Sequence, residues 1–309
     1  MRFLLLVAAL ACRIAYGAET DYFPADTKVV IGIQVRSIID AVVRNFGADA
    51  LKDSAKFTAS SVLAGFDPAR DLDEVLISTS GKGEKPSTLM VLRGRFDVAR
   101  MATKAKPYHG VPTLEDPQHQ GQIMALVDGT TALAGDAGLV RGAIDGKPAA
   151  SDWAMRIEPL RGKYAVWGIG DALEGVPGDD TMKSLDQFEF GAGFEHGLDI
   201  TAAAHFRKPE DAEKLSMFVK MIQAAPQTGG AKIEVETANG KMRLSVRMGE
   251  GELKKAIATQ KDALAAALIS RMTSNVAGPK PSSPPPPKDG KIVTNSQGET
   301  MTVTLPGKK

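Results

Sequence analysis

Residues 28–43 read KVVIGIQVRSIIDAVV, and they decide the fold because the side-chain pattern changes within this one stretch. The β-branched run at 28–35 predicts a buried strand. Ser37 has the spacing of an N-cap and Asp40 that of its capping-box partner, and apolar residues at helical spacing follow. A strand that leads directly into an amphipathic helix predicts a domain that mixes α and β structure.

Strand and helix patterns alternate in the same way along the rest of the chain. The dipeptides Asp-Gly at 128–129 and Asn-Gly at 239–240 are hairpin signals between strand-like runs. Both halves read as strand, helix, two strands, helix, two strands and helix, with one extra strand in the first half. Residues 89–104 and 201–219 share a strand-then-helix pattern. Either an internal duplication or coincidence explains this similarity. We predict an α+β fold of two similar halves of antiparallel sheet, with helices packed on one face.

Several helical patterns contribute to this prediction. In the pattern at 209–222, an apolar stripe is formed by Leu215, Phe218, Val219 and Ile222. Met217 and Met221 are four residues apart on the same pattern, and soft thioethers of this kind can bind copper(I). Because the chain has few aromatic residues, core filling is the favoured interpretation of both methionines. The patterns lie at 50–63, 96–105, 209–222 and 251–272.

The N-terminus predicts a signal peptide at 1–17. After a basic residue, the nine-residue apolar run at 3–11 is too short to span a membrane. The small residues Ala15 and Gly17 then fit a cleavage site before Ala18. We therefore expect the mature protein to be exported, as a periplasmic or extracellular protein.

Cys12 offers an alternative to simple cleavage. It follows Ala-Leu-Ala at 9–11, which resembles the bacterial lipobox, although Ala9 stands where that motif usually has leucine. A lipidated Cys12 would make the protein a lipid-anchored envelope protein. Membrane contact is expected only in that case.

Composition limits the classes of function. The chain has 309 residues, with 38 Lys and Arg against 37 Asp and Glu, so it lacks the basic excess of an electrostatic nucleic-acid binder. Its single cysteine excludes an intrachain disulfide framework and a thiolate metal cluster. We expect no nucleic-acid partner and no cofactor.

The chain after the leader divides into four predicted regions. A first α+β half lies at 18–148 and a second at 149–277. Residues 278–290, GPKPSSPPPPKDG, form a Pro-rich linker, because four consecutive prolines favour polyproline II. Residues 291–309 contain alternating side chains that predict a small β-hairpin; the other possibility is that they stay disordered. Since an isolated hairpin is marginal in water, an ordered tail would dock on its own sheet or pair with another chain.

One candidate cluster for metal chemistry lies in the first half. His109 and His119 bracket Glu115 and Asp116, and imidazole with carboxylate suits zinc. The spacing matches no helical ligand motif, and nearby prolines and glycines indicate an exposed loop. The solvated loop is the favoured interpretation, so no metal is expected.

A second candidate set lies on one predicted strand of the second half. Asp199, Thr201 and His205 share a strand face at a period of two. Such a face is either a polar patch that lines a cleft or a part of the sheet surface that faces solvent. The solvent-facing surface is the favoured interpretation. The chain contains no nucleophile elbow, zinc-protease helix or phosphate-binding loop motif.

The turn at 65–71, GFDPARD, and the Ala-Asp-Thr opening at 25–27 resemble uncharacterised exported bacterial proteins over roughly residues 25–145. These motifs are structural, so the resemblance implies neither an activity nor site residues. We predict an exported, non-catalytic binding or scaffold protein of the cell envelope, with a protein partner or self-association through the Pro-tethered tail. The alternatives are an envelope hydrolase or metal-dependent enzyme, and a small-ligand binding protein with a pocket between the halves.

Overall fold

The computed structural model describes residues 19–47, 66–81, 86–115, 120–146, 152–171, 180–223, 230–258, 290–294 and 300–304. Met1–Ala256 is one compact unit and Ile257–Lys309 is a second. The predicted helix at 50–63 and residues 259–272 of the last predicted helix lie outside the described residues. Within the described ranges, no helix has both the length and the apolar character that a membrane span needs.

The first half alternates strands with short helices, as its sequence pattern predicts. In chain order its elements are β1 (Thr27–Gln34), α1 (Val35–Phe46), α2 (Pro68–Asp71), β2 (Leu72–Ser80), β3 (Ser87–Gly94), α3 (Val98–Met101), β4 (Lys106–Tyr108), β5 (Val111–Glu115), β6 (Gln122–Leu126), β7 (Thr131–Asp136) and α4 (Ala137–Ile144).

The second half follows with fewer strands. Its elements are α5 (Trp153–Arg161), β8 (Val166–Asp171), α6 (Asp180–Lys183), β9 (Leu185–Gly193), β10 (Leu198–Phe206), α7 (Pro209–Gln223), β11 (Lys232–Ala238), β12 (Lys241–Met248) and α8 (250–258). The tail contains β13 (Gly290–Thr294) and β14 (Thr300–Thr304).

The strands of both halves form one twelve-stranded sheet in which all neighbours are antiparallel. Its order is β11-β12-β10-β9-β8-β1-β2-β3-β7-β6-β5-β4. The order β1-β2-β3-β7-β6 of the first half recurs as β8-β9-β10-β12-β11 in the second. The predicted α+β class is confirmed, and the two halves share one strand order.

A close contact between β1 and β8 joins the halves at the centre of the sheet. Gly32 lies directly opposite Trp167, which is fully buried. A Cβ atom on Gly32 would overlap the indole ring, so the ring occupies the space that glycine leaves open.

Helices cover the sheet of the first half on both faces, whereas the sequence predicted one. Leu89 and Val91 of β3 pack with α4 and α5 on one face. Met90 and Leu92 point to the other face, where they pack with α3. The sequence of β3 explains the difference, because its consecutive apolar residues at 89–92 place apolar side chains on both faces, and each face then needs cover.

The elements that were not predicted include an edge strand and a helix. The edge strand β4 has only three residues, and Pro107 is one of them. Helix α5 contains Pro159, a residue that disfavours a helix interior. The helix forms because Trp153, Ile157 and Leu160 are buried against the sheet.

Local helix boundaries also differ from their predictions. Helix α1 begins at Val35, not after Ser37, and Gln34 at the N-cap position makes no side-chain capping bond. The Gln34 amide instead donates to Glu74 Oε1 at 2.6 Å. The pattern at 96–105 forms only α3 and a following 3-10 turn.

The orientation of α7 corrects the predicted core. Met217, Phe218 and Met221 are 62%, 55% and 65% exposed, so they lie on the outer face of the helix. The inner face instead buries Ala212 and Ser216, and the Thr237 hydroxyl donates to Ser216 Oγ at 3.2 Å. The inward face therefore carries small residues, and larger side chains lie outside.

Candidate ligand site at the seam between the halves

Adjacent strands of the first half place polar side chains in one row at the same end. Gln34 of β1 lies opposite Glu74 of β2, and Glu74 lies opposite Arg93 of β3. Glu74 is two residues from Leu76, and Arg93 is two from Val91, so the row points to the same face as the buried core. The apolar core therefore ends in a polar row.

Arg161, the last residue of α5, neutralises the acidic part of this row. Its Nε donates to Glu74 Oε1 at 2.7 Å, and its Nη2 pairs with Glu74 Oε2. Its Nη1 lies 3.4 Å from Glu19 Oε2, and Glu19 also pairs with Arg93. The side chains of Arg161, Glu74 and Glu19 are only 9%, 6% and 2% exposed. Buried charges need such pairing, because an unpaired one is strongly destabilising.

Glu19 brings the start of the described chain into this cluster. It precedes a 3-10 turn at Thr20–Tyr22, and Phe23 behind it is 1% exposed. One carboxylate thus contacts a strand of the first half through Arg93 and a helix of the second through Arg161. We call Glu19, Gln34, Glu74, Arg93 and Arg161 the seam cluster.

A cavity of about 650 Å³ opens beside the seam cluster. This volume lies within the usual range for small-molecule sites. Strand ends of the first half and α5 of the second half both contribute to its wall. Its described lining is Gln34, Asp73, Glu74, Arg93, Gly94, Arg95, Thr130, Glu158, Arg161 and Gly162. We call it the seam cavity.

Most charges that line the seam cavity are paired. Besides the pairs of the seam cluster, Asp73 Oδ1 lies 3.0 Å from Arg36 Nε. Arg95 and Glu158 are exposed, and neither has an ion-pair partner among the described residues. The cavity therefore presents one charge of each sign that is outside any ion pair of the described residues, and Arg95 also lies close enough to Asp71 to lower its pKa.

Backbone contacts hold Arg95 at the cavity. Its backbone N–H donates to the Asp71 carbonyl oxygen at 2.7 Å, and its Nη2 donates to the Arg70 carbonyl oxygen at 2.7 Å. A Cβ atom on Gly94 would overlap the Asp71 carbonyl, so only glycine allows this approach.

Hydrogen bonds from the Arg70 guanidinium lower the pKa of Asp71, which keeps this carboxylate ionised.

The structure places Asp199, Thr201 and His205 on β10, outside the seam cavity. Asp199 lies 3.9 Å from Arg247, and His205 Nδ1 lies 3.3 Å from Asp186 Oδ2. Thr201 Oγ1 donates to the Tyr164 hydroxyl at 2.6 Å. Asp199 and His205 are six residues apart, which is about 20 Å along a strand, so they do not meet.

The predicted loop cluster is only partly described. His109 is 68% exposed and its Nδ1 lies 2.9 Å from Asp145 Oδ1. The neighbouring Tyr108 stacks on it and donates to Asp145 Oδ2 at 3.1 Å. Asp116 and His119 lie outside the described residues. Among the residues that are described, no group of three or more His, Cys, Asp or Glu could hold a metal ion.

Another cleft, of about 760 Å³, lies at the outer end of the first half. Arg100, Lys104 and Arg141 are among its lining, and so are Glu115 and Gln120. The residues between these last two lie outside the described ranges. Its described wall is therefore interrupted, whereas the seam cavity is bounded by a cluster of buried charges.

Sequence reasoning missed the seam cluster, although one signal was present. Glu74 and Arg93 follow the same alternation as the buried Leu76 and Val91 on the neighbouring strands β2 and β3. A carboxylate and a guanidinium in phase with buried apolar residues indicate buried charges that need partners, and in the structure these partners are Arg161 for Glu74 and Glu19 for Arg93. Arg161 had no comparable signal, because its helix was not predicted.

Comparisons with known proteins give no functional assignment. No family model matches the chain, and no curated protein matches it either. Crystal forms IV and III of TP0453 each have a TM-score of 0.47 at 9% sequence identity. They cover 79% and 78% of this chain, and 98% of TP0453 in both cases. Crystal form I has a TM-score of 0.46 at 10% identity, with 78% and 96% covered.

Proposed function

We propose that the protein is an exported, non-catalytic binding protein of the cell envelope that holds a small polar ligand in the seam cavity. The observation that carries this proposal is a buried charge cluster at the wall of a cavity shared by the two halves. Clefts that combine such volume with convergent polar groups are common ligand sites. The ion pairs of the cluster fix the side chains before a ligand arrives, which lowers the entropy cost of binding.

The lining favours binding over catalysis. Two of its three carboxylates, Glu74 and Asp73, are each engaged in an ion pair with an arginine. The described lining offers no histidine or cysteine. These features support a role in which charges orient a ligand without transferring a proton.

Filling the cavity tests the proposal. Gly162 lines it, and a Cβ atom there has open space around it. We expect Gly162→Trp to fold and to lose binding of small polar compounds, measured by equilibrium dialysis against a set of amino acids, peptides, sugars and organic acids. Gly138→Trp on α4 is the matched control, because its Cβ also meets open space but lies outside the seam cavity. Equal binding by both variants would contradict the proposal.

We also propose that the tail captures a protein partner. The strands β13 and β14 pair with each other in a two-stranded sheet of their own, without a further described strand. Such a hairpin is marginal alone and gains backbone hydrogen bonds when a strand from another chain is added. The Pro-rich linker at 278–290 would then act as a spacer.

A further inference from the structure

The unpaired charges of the seam cavity point to a specific class of ligand. Arg36 partners Asp73, Glu19 partners Arg93, and Arg161 partners Glu74. The positive Arg95 and the negative Glu158 remain, and neither has an ion-pair partner in the described part of the chain. A ligand that satisfies both must itself carry one charge of each sign.

The two groups belong to different elements. Arg95 follows β3 of the first half, and its guanidinium keeps free N–H donors after its bond to the Arg70 carbonyl. Glu158 lies on α5, one helical turn before Arg161 of the seam cluster. A ligand between them would therefore contact a strand end and a helix.

From this arrangement we propose that the seam cavity binds a short zwitterionic peptide, with its carboxylate at Arg95 and its ammonium group at Glu158. The inference rests on the binding function proposed above and names its ligand class. Arginine suits a carboxylate because its donors match the two oxygens. The termini of an extended tripeptide are roughly 10 Å apart, and the cavity of about 650 Å³ has room for such a molecule.

Three peptides test the two contacts separately. Trialanine carries both charges, N-acetyl-trialanine lacks the ammonium group, and trialanine amide lacks the carboxylate. By isothermal titration calorimetry we expect the intact protein to bind trialanine about threefold to tenfold more tightly than either derivative, the range for partly exposed charge contacts.

Two variants assign each charge to its residue. Glu158→Gln should bind trialanine and the acetylated peptide equally but still discriminate against the amide. Arg95→Gln should show the opposite pattern. Glu213→Gln, an exposed carboxylate on α7, is the control and should keep the wild-type preferences.

Failure of this inference is distinguishable from failure of the binding function. Equal affinity for the three peptides, or no binding of any, overturns the peptide assignment. If another compound still binds in a manner that Gly162→Trp abolishes, the cavity remains a ligand site of a different class. A loss of preference in Glu213→Gln would likewise overturn the assignment to Arg95 and Glu158.

Discussion

At the scale of single residues, we expect substitution of Arg161 to lower the stability of the fold the most. It contacts Glu74 and Glu19, and these three side chains are almost fully buried. Replacing an entire buried ion pair by apolar residues is often neutral, but removing one partner leaves a charge without compensation. Arg161 therefore connects stability to the shape of the seam cavity.

We predict that Arg161→Met lowers the free energy of unfolding by about 3–5 kcal/mol, because the buried Glu74 loses its ion-pair partner and Glu19 keeps only Arg93. Urea denaturation measures this change. Arg156→Met on the same helix is the control, since the Arg156 pair with Asp171 at 3.0 Å is partly exposed. It should cost about 1 kcal/mol. Equal losses in the two variants would contradict the role of the seam cluster.

At the scale of elements, local pattern and burial disagree most clearly in α5 and α7. The sequence did not predict α5, because Pro159 disfavours a helix interior, yet this helix supplies Glu158 and Arg161 to the cavity. On α7 the pattern identified the helix, and Leu215 of the predicted stripe packs against the core, but Phe218 is exposed. Periodicity locates a helix, whereas its packing against the sheet decides which residues are buried.

The tail allows a prediction at the same scale. Deletion of residues 279–309 should leave the thermal unfolding of the body unchanged, because the twelve-stranded sheet contains no strand from the tail. The same deletion should reduce recovery of a cross-linked partner from envelope extracts. Equal recovery of the partner by the truncated protein and by the full chain would contradict the proposal that the tail captures it.

At the scale of the whole molecule, the seam makes one sheet from two similar halves. Gly32 and Trp167 pair at its centre, and Gln34 of the seam cluster lies two residues beyond Gly32 on β1. The strand order is the same on the two sides. An internal duplication explains that order and stays a prediction.

We predict that Gly32→Ala destabilises both halves together by about 1–3 kcal/mol, the usual cost of overpacking. The added Cβ would overlap the Trp167 ring, and β1 and β8 would have to separate. Hydrogen exchange should show lost protection in β2 and in β9. Gly193→Ala is the matched control, since its Cβ meets open space. Loss of protection confined to one half would contradict a shared seam.

The sequence by itself determined the elements and the α+β class. Hairpin signals depend on neighbouring residues, so the hairpin predicted at Asn-Gly 239–240 is found between β11 and β12. The same local rules missed α5, since Pro159 contradicts the local propensity that they use.

Only the tertiary structure decided the candidate site. Glu74 and Arg161 are 87 positions apart, and no local pattern relates them. They meet because β1 and β8 pair at the seam and bring α5 over the polar strand ends. A site built from long-range pairs depends on which strands pair and where the helices pack on the sheet. Packing of the whole chain sets both.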